Sequence, residues 1–358
     1  MITDHLERTY EELRNAQYPV FIWGAGSMSM EVSSRLKEHG ISVCGKFITT
    51  AAGRSHIISS EDHIFTLDEL KQTYEKINVV AGHGHYEKID ELSSCPYIHK
   101  VYVIPNPYLQ YKGPDLEYIY HNQDKLAYII SQLADEKSQT ALERYLAVNL
   151  TNDIRDLLDA DICVDGMYGF EALKLSDAED FVDVGAWEGD SIRSFLHLTD
   201  HKYHKIHAFE PDSTIFQTLQ QHYGNQENIC LYRLGLGETD AILTISRGNT
   251  QSACLTDTPA DSDTEKITIK TLDEVLANEP VSLIKISIPF MFMDVLRGGA
   301  ELIRRQRPRL IISVAADDKF TLYDTVKWIS DLDASYKLAL RFDFPMPTRL
   351  FLYAYSST

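Results

Sequence analysis

The chain has 358 residues, 44% hydrophobic and 24% charged, the balance of a folded globular protein long enough for two domains. Its formal net charge of −19 argues against nucleic acid and anionic membrane surfaces as partners, because both are bound largely through cations. No apolar run approaches the roughly twenty residues that span a bilayer.

The N-terminal stretch MITDHLERTYEELR is charged and has no apolar core of the signal-peptide kind. The five cysteines (Cys44, Cys95, Cys163, Cys230, Cys254) are scattered without a CxxC. Free thiols in a reducing compartment are the favoured reading over a disulfide or zinc site, so a cytoplasmic protein is expected.

Leu6 to Asn15 has an amphipathic helical pattern. Val20–Trp23 predicts a strand, Gly24-Ala25-Gly26 a tight turn, Met30–His39 a helix closing at Gly40, and Ile41–Thr49 a second strand. This is a βαβ beginning, and GAG is a phosphate-binding candidate. Against that, Ser29 replaces the third glycine of GxGxxG, and the second strand ends at Phe47, Ile48 and Thr49, where a dinucleotide fold wants an acid. A glycine turn that permits tight packing is the competing reading, and an NAD-dependent oxidoreductase module is disfavoured. Ile77–Ala81 is a further strand, followed by His83 and His85. The other nearby histidines (His56, His63, His99) have no helical or hairpin spacing to that pair, so an exposed loop is expected rather than a metal site. Val101–Ile104 closes the unit, punctuated by Pro105, Pro107 and Pro114.

From Asp115 to about Leu158 the pattern is helical, with a break at Asp135–Lys137. Leu126, Ile129, Ile130 and Leu133 share one face; Ala141, Leu142, Tyr145 and Leu146 share another. These read as connecting helices. Asp161–Gly169 is irregular. Tyr168 and Phe170 are candidate lid aromatics, with plain packing as the alternative.

A second α/β unit follows. Phe181–Val184 reads as a buried strand, Gly185, Ala186 and Gly189 as a glycine turn, and Ser191–Leu198 as a helix. Strand, glycine turn, helix is how an open α/β sheet lets a cofactor approach the backbone above its strand ends. The next apolar run, Ile206–Phe209, ends in Glu210, placed to accept hydrogen bonds from both hydroxyls of a ribose. The pairing points to a nucleoside cofactor. Strands are then expected at Ile229–Leu234, Ala241–Ser246, Ile267–Lys270, Ser282–Ile288, Leu310–Val314, Tyr336–Phe342 and Leu350–Tyr355. Helices are expected at Ser213–His222, Leu272–Ala277, Met293–Arg304 and Leu322–Leu332. No helix separates the last two strands, so a hairpin-like pair should end the sheet.

Residues from about 125 to 355 resemble the FkbM family of S-adenosylmethionine-dependent methyltransferases. The matching pieces are FVDVGAWEGDSIRSFL, HAFEPDSTIFQTL, YRLGLGETDAILTI, ITIKTLDEVL, VSLIKIS, VLRGGAELIRRQRPRLIISV and YKLALRF, in that order. The N-terminal unit resembles an extra domain ahead of some members. The resemblance implies an α/β fold: a C-terminal Rossmann-like class I methyltransferase domain (161–358), a smaller Rossmann-like α/β domain (1–114), and connecting helices (115–160). It implies S-adenosyl-L-methionine as cofactor. The implied binding set is Asp183, Gly185, Ala186, Trp187, Gly189 and Ser191 on the glycine loop, Glu210 and Pro211 after the second strand, and Ser287 after the fourth. Asp183 is the carboxylate placed to face the cofactor's ammonium.

Departures lie on the acceptor side. Where members read IKIDVEGAE this chain reads IKISIPFMFMD, with Ser287, Pro289 and Phe290 at the usual Asp, Glu and Gly. Ala315-Ala316 stand at the usual Tyr-His, and Phe342 at a usual His. The polar candidates left are Lys285, Asp317, Asp318 and Lys319, none singled out by spacing, and Lys285 can be read as buried against a carboxylate. No catalytic residue and no metal ligand is assigned. The expected activity is O-methylation of a sugar, polyketide or related small metabolite. The alternative is a catalytically degenerate relative that serves binding or assembly. The expected partner is a small-molecule acceptor, with no nucleic acid and no membrane; a homo-oligomer is left open.

Overall fold

The computed structural model describes residues 5–49, 64–82, 88–104, 113–158, 160–246, 254–255, 264–288, 291–314 and 321–356. The His83–His85 pair, His56, His63, Pro289, Phe290 and Ala315–Lys319 lie outside the described residues. The chain divides into two compact units. One comprises Met1–His121, Leu142–Ala160 and Phe344–Thr348; the other Asn122–Ala141, Asp161–Asp343 and Arg349–Thr358. The helical stretch 115–160 is thus shared between them.

In the first unit β1 (Val20–Trp23), β2 (Gly45–Ile48), β3 (Ile64–Thr66), β4 (Ile77–Ala81) and β5 (Ile98–Tyr102) make a parallel sheet in the order β3-β2-β1-β4-β5. β1 and β4 are buried throughout, as expected of parallel strands covered on both faces. The second strand is shorter than the apolar run Ile41–Thr49 predicts. Ile41 is used instead to end the preceding helix: with Gly40 at φ 69°, Gly40 N–H reaches Lys37 O at 3.0 Å and Ile41 N–H reaches Leu36 O at 2.8 Å. That is a left-handed glycine cap with an apolar residue behind it. Ser29, at the third-glycine position, is buried and bonds Gly26 O at 2.7 Å.

The second unit holds a seven-stranded sheet of β6 (Asp180–Val184), β7 (Lys205–Phe209), β8 (Ile229–Tyr232), β13 (Leu283–Ile286), β14 (Arg309–Ser313), β15 (Tyr336–Phe342) and β16 (Leu350–Ser356). A separate small sheet is made by β9 (Gly235–Leu236), β10 (Ala241–Ser246), β11 (Cys254–Leu255) and β12 (Thr264–Lys270). The large sheet runs β15-β16-β14-β13-β6-β7-β8. The chain reverses direction across the sheet between β6 and β13, the place where open α/β sheets bind ligands. β15 and β16 are antiparallel as expected, but β16 inserts between β14 and β15 rather than extending the edge. The small sheet is distinct because its strands alternate: on β12, Ile267 and Ile269 are buried while Lys266 and Thr268 are exposed. Such a pattern suits a sheet with one covered face.

Tyr168 and Phe170 belong to the core. Tyr168 meets the rings of Phe181 and Phe195 edge-on, each at 5.9 Å, and Phe170 lies 4.5 Å from Tyr353. Within this unit Arg341 is 3% exposed and forks onto Asp135 at 3.1 and 3.0 Å. Ala134 N–H bonds Leu338 O at 2.8 Å, so the break after Gln132 is also where the helical stretch ties to the sheet edge.

Candidate functional site

The site begins with the turn after β6. Gly185 and Gly189 sit at φ 75° and 88°, and Trp187 between them at 51°. The left-handed region is open to glycine and strains a bulky residue. Gly185 is forced by contact as well: a Cβ there would lie 2.5 Å from Ile288 Cγ2 and 2.8 Å from Ser287 O. A Cβ on Gly189 would lie 2.2 Å from the Tyr223 ring, whose hydroxyl donates to Gly189 O at 3.0 Å. The turn is pinned to the next strand, since Gly185 and Ala186 N–H both reach Phe209 O, at 3.1 and 3.0 Å.

Two acids follow β7, and they divide the work. Asp212 caps the helix Ser213–Tyr223, accepting from Thr214 and Ile215 N–H at 2.8 and 3.0 Å, as N-cap acids do. Glu210 turns back to the glycine turn. Its Oε2 accepts from Trp187 N–H at 3.1 Å and its Oε1 from Asp212 N–H at 3.0 Å. It is 6% exposed. Burial pushes its carboxyl up to about 7, and the two backbone N–H groups pull the other way.

Between turn and acid lies a cavity of about 320 Å³, at the small end of ligand cavities, which run about 300–1,000 Å³. Of the residues expected at a cofactor site, Gly185, Trp187, Ser191, Glu210, Pro211 and Ser287 line it. Asp183, Ala186 and Gly189 sit behind that wall. Asp183 is fully buried, and both its oxygens are engaged within the protein. Ser191 Oγ donates to Oδ2 at 2.5 Å, and Lys285 Nζ to Oδ1 at 2.9 Å. Burial pushes the Asp183 carboxyl up, and the ammonium and hydroxyl pull it back. Lys285 is therefore buried against a carboxylate, as one reading of its strand position had it.

Sequence reasoning did not single out the rest of the wall. The small sheet contributes Ile245, Ile267 and Ile269; Leu234–Leu236 follow β8; Ile288 and Met291 follow β13; Met167 precedes β6; Arg349 ends the turn before β16; and Val184, Asp190, Phe209 and Ile215 complete it. Arg349 is held by Asp343, with Nε on Oδ1 at 2.9 Å. Alternation on β10 and β12 could have marked the isoleucines as inward-facing, but nothing local marks which cavity they face. Among the described residues no cluster of three metal-ligating side chains occurs, and no helix is long and apolar enough to cross a membrane.

The residues fit a nucleoside. A carboxylate offers about four lone-pair sites. Each Glu210 oxygen uses one on a backbone N–H, so each keeps another for a vicinal diol. The turn beside it is bare of side chain at Gly185.

No family model matches the sequence, and no curated protein does. Among solved structures the chain is similar to the methyltransferase FkbM from Methylobacillus flagellatus KT, at 20% identity over 99% of this chain and 94% of that one, with a TM-score of 0.66. The likeness establishes the fold: an α/β chain whose second unit is built on a Rossmann-like sheet. Weaker likenesses are to an rRNA methylase from Streptococcus thermophilus (16% identity, 52% and 92% covered, TM-score 0.32) and to the SAH-bound methyltransferase PaMTH1 of Podospora anserina (11%, 68% and 98%, 0.33). At those scores they share too little geometry to bear on this site.

Proposed function

We propose that the second unit binds S-adenosylmethionine and transfers its methyl group to an oxygen of a small metabolite. The observation that carries the reading is Glu210, buried beside the glycine turn with one lone-pair site open on each oxygen. Gly185 and Trp187 supply the backbone above the strand end, and Glu210 the ribose acceptor. When bound, the cofactor supplies an electrophilic methyl group on a sulfonium.

For the acceptor the described lining offers mainly placement, its carboxylates being Glu210, assigned to the ribose, and Asp190. Lys285 is matched by Asp183 and Arg349 by Asp343. Ile245, Ile267, Ile269, Ile288 and Met291 make an apolar wall. Alignment of the acceptor with the methyl group is the main requirement of such a transfer. Of the expected acceptors, the wall favours a polyketide-like molecule over a sugar. The free thiols Cys44, Cys95, Cys163 and Cys230 suit a cytoplasmic setting.

Isothermal titration with S-adenosylmethionine and its demethylated product tests the reading. Glu210→Ala should weaken both by about 1–3 kcal/mol through loss of a charged acceptor. No heat from the wild type at millimolar ligand would remove the proposal. Binding without transfer of labelled methyl to any acceptor pool would leave a binding or assembly protein.

A further inference from the structure

The cavity sorts its charges by strand. Its carboxylates stand at one end: Asp190 opens the helix that follows the glycine turn, and Glu210 follows β7. Arg349 stands at the other. Ser313 of β14 pairs with Phe351 of β16, which sets Arg349 just beyond the end of β14, and β14, β13 and β6 separate β16 from β7. Ile288 and Met291, which follow β13, are apolar lining between the two ends. Two contacts fix the guanidinium. Its Nε donates to Asp343 Oδ1 at 2.9 Å and its Nη2 to Oδ2, and it lies over the Phe351 ring, 5.3 Å from the centroid. The Asp343 side chain is 3% exposed, whereas that of Arg349 keeps 39% of its surface open while lining the cavity. Lys285, the other cation of the lining, is spent on Asp183 Oδ1 and Gly185 O, at 2.9 and 2.8 Å. Burying an ion pair brings little or no net stability over apolar residues of the same volume, so a fixed guanidinium at the apolar end of the cavity calls for another task.

We propose that the methyl acceptor is the carboxylate of an apolar acid, seated by Arg349 beside Ile288 and Met291 and converted to its methyl ester, with Asp343 as the residue that positions the guanidinium. The planar guanidinium matches a carboxylate in shape and charge, and the acids at the far end repel one. The chemistry suits the same end. A hydroxyl acceptor must give up a proton to a base, whereas a carboxylic acid is already ionised at neutral pH. A carboxylate oxygen attacks the methyl carbon, the carbon–sulfur bond breaks with its electrons passing to sulfur, the sulfonium becomes a neutral thioether, and no proton is released. The proposal rests on the cofactor reading above and narrows its acceptor.

Octanoate and octanol share an apolar chain and differ in the charged end. With S-adenosylhomocysteine bound, titration calorimetry should show octanoate binding about tenfold or more tighter than octanol, the scale of one charge-assisted bond. Arg349→Gln should remove that preference and leave S-adenosylhomocysteine affinity as in the wild type. Asp343→Asn/Arg349→Gln, which leaves no orphaned buried charge, should do the same, so the outcome does not hang on a stranded Asp343. Turnover gives a second readout: methyl label passed from S-adenosylmethionine to a small-molecule extract should be released as methanol by mild alkali, as from esters and not from ethers. Octanoate bound no better than octanol would overturn the proposal. So would label that resists alkali, no transferred label, or weakened S-adenosylhomocysteine binding in both variants, which would give the guanidinium to the cofactor instead. A wild type that does not bind S-adenosylhomocysteine would overturn the cofactor reading along with it.

Discussion

Glu210 makes the stability of the second unit depend on pH in a direction opposite to most carboxylates. Its carboxyl titrates at 4.5 when unperturbed and at about 7 in the fold, raised by burial. A carboxyl whose value rises on folding holds its proton more tightly in the native state. Between those two values the native state binds more protons than the unfolded chain, so stability falls as pH rises. Taking both values, the loss from about pH 5 to about pH 8 is about 2.5 kcal/mol, a tenfold change in proton affinity being about 1.4 kcal/mol. Denaturant unfolding across that range, wild type against Glu210→Gln, isolates the contribution, because Gln has no proton to lose and the other groups cancel in the difference. The advantage of the wild type over the variant should shrink toward alkaline pH. Hydroxyl donors on a ligand favour the charged carboxylate, so binding near neutral pH should release protons. Calorimetry in buffers of different ionisation enthalpy would measure that release, and it should vanish in the Gln variant. Wild-type and Gln curves that run parallel from acid to alkaline pH would refute the placement of Glu210 at a buried, cavity-facing site.

Gly185→Ala should destabilise by about 2–4 kcal/mol, combining left-handed backbone strain with a Cβ 2.8 Å from Ser287 O, a backbone atom that cannot swing aside. Denaturant midpoints check this, and an unchanged midpoint would mean the turn rearranges freely. Asp135→Asn should cost about 2–4 kcal/mol by leaving buried Arg341 with only the longer contact to Glu171, at 3.8 Å, as counter-charge; a thermal shift of less than about two degrees would show the fork to be dispensable. Burial alone would raise the Asp135 carboxyl, but hydrogen bonds from Arg341 and Ser138 outweigh it and hold the value below the usual range. That group's share of stability is therefore present above its unfolded value and lost as pH falls through its folded one, a loss Asp135→Asn should abolish.

What the sequence made legible is what short-range chemistry decides. Phe181–Val184, the glycines at 185 and 189, and Glu210 lie within one strand-turn-helix-strand unit, where each residue's role follows from its neighbours. The Ile41–Thr49 run overstates its strand because a glycine cap competes with the strand for the same apolar residue, and only the bonds from Gly40 and Ile41 show the cap winning. Long-range pairing was out of reach. The insertion of β16, whose Ala354 pairs with Leu310, and the folding of β10 and β12 into a separate sheet, with Ala241 on Ile269, depend on partners beyond the reach of a local pattern.

Asp183 and Glu210 look alike in sequence, each an acid beside a strand end. Register decides between them, because it sets Lys285 opposite Asp183, whereas Glu210 is held by the backbone N–H groups of Trp187 and Asp212. The same register bears on the residues that follow β13. Lys285 draws its counter-charge from β6, not from the residues that follow its own strand. The lack of an acid at Ser287 therefore leaves Lys285 with its counter-charge. The wall made by Ile288 and Met291 can therefore be apolar while the turn, the ion pair and Glu210 keep their hydrogen bonds.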